Sequence, residues 1–112
     1  DWQTVSVSSP FLDVAYFLAT SVEPELLLRE TDRLLDYYLA VRSSLGAPIP
    51  RDVARSELAR YALQPVAMLV PAAVIVEQTE RGDRMFLEML RRASIICRAW
   101  NSLEELDRHV AA

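Results

Sequence analysis

The 112-residue sequence contains no lysine, one histidine, one cysteine and two glycines. Each scarcity removes a class of chemistry. With all 12 basic residues being arginine, the chain cannot form a Schiff base or hold ATP phosphates through a lysine amine. A single histidine, His109, excludes multi-histidine metal sites; near the chain end it reads as a solvated terminal residue. The single Cys97 forms no internal disulfide and no thiolate metal site, which suits a reducing compartment and gives a cytoplasmic expectation. Neither Gly46 nor Gly82 belongs to a phosphate-cradling pattern.

What is present is apolar and acidic. A hydrophobic content of 52% excludes an intrinsically disordered segment, and the length suits a single helical domain over residues 1–112. The net charge of −4 argues against nucleic acid as a partner, because neutralising phosphates requires a clustered basic surface. The most apolar run, Val66–Val76, falls short of the roughly 20 residues of a membrane span, so it reads as a buried core helix and no membrane partner is expected. No basic and apolar leader opens the chain.

The fold class expected is mainly α, a helical bundle with a short extended N-terminal remnant. Thr4 to Val7 alternates polar and apolar residues, and Ser8-Ser9-Pro10 supplies a turn with proline suited to the first helical position. From Pro10 to about Ser21, Phe11, Val14, Ala15, Leu18 and Ala19 recur at helical spacing. Glu23-Pro24-Glu25 starts a second helix that runs to about Leu45, with Leu27, Thr31, Leu34, Leu35, Tyr38, Val41 and Leu45 on one face and Gly46 as its C-terminal cap. Glu30, Asp36, Arg29 and Arg33 read as a solvated surface with i, i+3 and i+4 pairs.

Ala47-Pro48-Ile49-Pro50 is a linker. A third helix from Arg51 faces inward through Val53, Leu58, Tyr61 and Ala62. Pro65 bends or ends it before the run to Val76, which Pro71 can kink again. The polar stretch from Glu77 to Asp83 with Gly82 reads as a loop. Phe86, Met89, Leu90, Ala93, Ile96, Cys97 and Trp100 then define an amphipathic helix, with Cys97, Met85 and Met89 as core filler. Ser102 and Glu105 fit a capping box for a last helix with Leu103, Leu106 and Val110 inward.

Two carboxylates stand apart from these surfaces. Asp1 opens Asp1-Trp2-Gln3, and Asp13 sits in a strongly apolar helix, where a buried carboxylate calls for hydrogen-bond donors. With Ser9-Pro10-Phe11-Leu12-Asp13-Val14-Ala15-Tyr16-Phe17-Leu18, this stretch resembles the aminoglycoside phosphotransferase and choline-kinase-like superfamily, including its ecdysteroid-kinase-like branch.

The resemblance implies an ATP- and Mg²⁺-dependent transfer of a phosphoryl group to a hydroxyl of a small-molecule substrate. By that resemblance Asp1, in the Asp-Trp motif, is a metal ligand. Asp13, in Asp13-Val14-Ala15 where the family pattern has Leu in place of Val, braces the backbone of the catalytic loop. The family's His-Gly-Asp-like catalytic loop lies upstream of the Asp-Trp position and its ATP-contacting lysine in an N-terminal lobe. The chain therefore reads as the C-terminal part of such an enzyme, expected to bind neither ATP nor Mg²⁺ and to be inactive alone, and none of its residues is assigned a catalytic or nucleotide-binding role. The alternative is a noncatalytic helical module that self-associates through the surface of the absent lobe, driven by Trp2, Phe11 or Phe17.

Overall fold

The computed structural model describes residues 5–112; Asp1, Trp2, Gln3 and Thr4 lie outside the described residues. Val5 to Ser9 has no regular secondary structure, and both valines of the alternating stretch are exposed, without the partner strand that would hold them in a ladder. No strand occurs among the described residues.

Six helices follow: α1 (Phe11–Ser21), α2 (Pro24–Ser44), α3 (Arg51–Tyr61), α4 (Gln64–Ile75), α5 (Glu80–Ala99) and α6 (Ser102–Ala111). Their boundaries have local causes. Pro24 occupies the first turn of α2, where a missing N–H costs nothing. Gly46 ends that helix at φ +76°, a left-handed conformation that glycine adopts without a Cβ penalty. The amides of Gly46 and Ala47 return to the carbonyls of Ser43 and Arg42, closing a Schellman motif. Pro65 enters α4 after a two-residue turn at positions 62 and 63.

The core has two connected centres. Phe11 and Ala15 of α1 pack with Leu35, Ala54 and Leu58. One turn on, Ala19 packs with Leu27, Ala62, Ala93 and Ile96. Alanines from α1, α3, α5 and the turn before α4 let these backbones approach closely, so α1 lies against α3, α4 and α5. Phe11 is wholly buried and meets Tyr38 edge to face at 5.6 Å, which docks the middle of α2 on the start of α1.

Several inward faces differ from the sequence reading. On α2 Pro24, Leu27, Thr31 and Leu35 are buried, while Leu34, Val41 and Leu45 are exposed, because α2 meets the bundle along one narrow row. On α3 the inward position is Ala54 rather than Val53, which is exposed. The loop before α5 is shorter than Glu77 to Asp83: Thr79 caps the helix by accepting the Gly82 amide at 3.0 Å, and Glu80 and Asp83 sit in a first turn that favours acids.

The final helix is turned relative to expectation. Asn101, at φ 52°, is the single left-handed residue joining α5 to α6, so Ser102 enters the helix and is buried instead of capping it. Glu105 accepts from the Ser56 hydroxyl at 3.0 Å, which leaves Leu103, Leu106 and Val110 facing solvent. Helices α3 and α4 together make a 25-residue run, Arg51–Ile75, whose length and apolar composition would suffice to cross a membrane. Leu58, Ala59, Ala62, Pro65 and Leu69 on that run are buried, but within Val66–Val76 only Leu69 is, so this stretch is not the buried core helix that its composition suggests: α4 meets the bundle along one side and leaves Met68, Val70, Val74 and Ile75 exposed.

Candidate functional site

The Asp-bearing motif converges on the entry to α1. Ser9 fixes this entry: its hydroxyl donates to Glu57 of α3 at 2.7 Å and accepts the amide of Phe11 at 3.2 Å. Glu57 in turn lies 4.0 Å from Arg60, a mostly buried guanidinium that stacks 5.7 Å from the Tyr61 ring centroid. Chain direction at residue 9 is therefore set from α3. The segment leading back toward Asp1 departs from a fixed point.

Asp13 projects from the first turn of α1 and is exposed, not buried as its apolar helix suggests. The reason is its place on the helix. Phe11, Ala15 and Ala19 occupy the inward row, and position 13 falls on the opposite side. None of the described residues donates a hydrogen bond to its carboxylate or forms an ion pair with it. Asp1 lies outside the described residues, so the two carboxylates are joined by sequence only.

Beside this entry runs an apolar groove of about 340 Å³ between α1 and α2, walled by Val14 and Leu18 on one side and Leu34, Tyr37, Tyr38 and Val41 on the other. Sequence reading missed it, since it assigned Leu34 and Val41 to the core. Phe17, 61% exposed, projects from the same helix as the groove wall, while Phe11 is fully buried and cannot drive association as the sequence suggested.

The remaining candidates are structural. The Cys97 thiol contacts the Ala62 carbonyl at 3.1 Å, and burial pushes it up from the ordinary thiol range, with Ser102 partly opposing the shift. This is an inert thiol. His109 is exposed on α6, and Met85 is exposed whereas Met89 is half-buried. On α2, Arg33 pairs with Glu30 as expected, but Asp32 and Asp36 reach across to Arg51 and Arg55 of α3 at 2.7–3.1 Å. Asp36 foremost, then Asp32, raises Arg51 further above its ordinary range. A second cluster sets Glu88 between Arg91 and Arg92, both of which also reach Glu23, and these arginines lower Glu88 to about 2. Among the described residues no three His, Cys, Asp or Glu side chains gather as a metal centre.

These elements define a mainly α-helical protein. Residues 1–43 match the model of the Ecdysteroid kinase-like family, part of the kinase-like superfamily. The matched stretch takes in Asp1, Asp13, α1 and all but the last residue of α2, and the resemblance read from the motifs holds over that stretch. No curated protein and no solved structure matches the chain.

Proposed function

We propose that the chain is the C-terminal helical part of an ATP- and Mg²⁺-dependent phosphotransferase acting on a hydroxyl of a small molecule, and that it is inactive by itself. The observation that carries this reading is the family match to residues 1–43, which brackets both aspartates. Asp1 is the proposed metal ligand. Asp13 is the proposed brace, and its exposure on α1 suits a carboxylate that accepts from backbone amides of another segment. The apolar groove between α1 and α2 offers a wall for the non-polar part of a substrate.

Among the described residues no cluster of carboxylates makes a magnesium site. Mg²⁺ takes six oxygen ligands, typically one or two carboxylates with phosphate oxygens and waters, and Asp1 is the proposed protein ligand. No chemical step is therefore derived through the metal. We propose a cytoplasmic location, since a chain with one cysteine needs no oxidising compartment.

Incubation with Mg²⁺-ATP and a panel of small hydroxyl compounds, read as ADP formation, tests the reading. The 112-residue chain is expected to give no turnover, and the product of the complete reading frame containing it is expected to give turnover. Absence of nucleotide binding by that complete product contradicts the reading. Exposed apolar side chains on α4 and α6 favour a second reading, a helical module that acts by self-association. A stable monomer in size-exclusion chromatography with light scattering argues against it.

A further inference from the structure

No charged residue occurs between Tyr61 and Val76, yet much of this run faces solvent. Pro65 and Leu69 of α4 are buried, whereas Met68 and Val70 are about half exposed and Val74 and Ile75 are 80% and 82% exposed. A helix apolar on every side requires cover on every side, and a continuous bare apolar surface marks an interface.

The surroundings of this surface are asymmetric in charge. Helices α4 and α5 run antiparallel, because residues 76–79 join the end of one to the start of the other and the Cys97 thiol holds the Ala62 carbonyl at the opposite end. Arg98 therefore sits at the beginning of α4, where it lines a shallow groove with Leu63, Val66 and Ser94. Leu87, 67% exposed and two turns before Ser94, carries the apolar surface along the same side of α5. Glu77 and Asp83 stand at the other end, just beyond α4. Among the described residues none of Arg98, Glu77 and Asp83 forms an ion pair.

We propose that a second copy of this chain covers this face, with the two α4 helices packed antiparallel about a two-fold axis near Val70. An isologous contact of this kind sets the beginning of each α4 beside the end of the other. Arg98 of each copy then meets Glu77 or Asp83 of the other, once on each side of the axis. A parallel pairing would bring like ends together.

The 12 residues of α4 span about 18 Å, and Leu87 with the groove at Leu63 and Val66 carries the apolar surface beyond them, toward the ~800 Å² per partner of a standard interface. The centre of the contact, along residues 62–75, carries no charged side chain.

Sedimentation of the 112-residue chain at micromolar concentration is expected to give twice 12.7 kDa. The double variant V74D/I75D alters two exposed positions, so its helical circular dichroism is expected to match the original while its mass falls to that of a monomer. R98E is expected to weaken dimerisation about tenfold, equal to about 1.4 kcal/mol, and adding E77R to restore it. The rescue keeps the test informative should the Asp pair disturb folding. A monomer throughout the concentration range, a dimer that survives V74D/I75D, or a monomer that co-sediments with phosphatidylcholine vesicles each overturns the proposal. It does not rest on the phosphotransferase reading, since mass and turnover are measured separately.

Discussion

Helices α1 and α4 are both apolar on nearly every side, and the protein treats them oppositely. Helix α1 buries Phe11, Ala15, Ala19 and Thr20 and is surrounded by α3, α4 and α5. Helix α4 buries only Pro65 and Leu69 and leaves its C-terminal half bare. The difference lies in side-chain size at the contacts. Ala15 and Ala19, one turn apart, admit Ala54, Ala62 and Ala93 at close range. The outward positions of α4 are valine, methionine and isoleucine, which hold neighbours off and gain from cover only if another surface arrives.

Substitutions can break this contrast. The largest effect is expected at Phe11, whose replacement by alanine removes a fully buried ring and its edge contact with Tyr38, at a cost of about 3–5 kcal/mol in denaturant unfolding. Ile75→Ala, measured below the dimerisation range, is expected to change stability by no more than about 0.5 kcal/mol. Equal losses at both sites would erase the distinction. Next in size, Ala19→Leu is expected to destabilise by about 1–3 kcal/mol through overpacking against Ala62 and Ala93, while Ala67→Leu on the exposed side of α4 is tolerated.

Smaller effects sharpen how α5 is held against both helices. Thr79→Ala removes the cap on the Gly82 amide and is expected to cost about 1 kcal/mol. Glu88 ionises in the folded chain at about 2 rather than 4.5 because Arg91 and Arg92 favour its charged form. Its contribution is thus complete above the unfolded value and is lost as pH falls from about 4.5 toward 2. The stability advantage of the original chain over Glu88→Gln, measured by denaturant unfolding, is expected to be present at neutral pH and to shrink as pH falls from about 4.5 toward 2. For so exposed a cluster the difference is small.

Much of the helical order was legible in the sequence. Proline and glycine punctuation located α2, α3 and α4, because those residues act through fixed backbone preferences that tertiary contacts rarely override. The 86–100 stripe foretold the inward face of α5 for the same reason, a long and regular period. Side assignment failed where several neighbours compete. Leu34 and Val41 share the period of Leu35 and Tyr38, and nothing local says that α2 docks along a single row.

At α6 the error came from one backbone residue. Asn101 in a left-handed conformation rotates the whole helix, so its apolar stripe points outward and Glu105 inward. Thr79-Glu80-Arg81-Gly82 did carry the signal for an earlier start of α5, in a capping threonine and an acid, though glycine suggested a loop. The site was readable as a motif and not as geometry. Asp13 was singled out by its apolar neighbours, yet its exposure depends on which row of α1 meets α3 and α5.

The most direct test of the functional account is titration of Mg²⁺-ATP by calorimetry into the product of the complete reading frame, in its original form and as Asp1→Asn. The account predicts that the original binds the nucleotide in a magnesium-dependent manner and that Asp1→Asn weakens this at least about tenfold, roughly 1.4 kcal/mol. Binding that is unchanged by the substitution, or indifferent to magnesium, would contradict it.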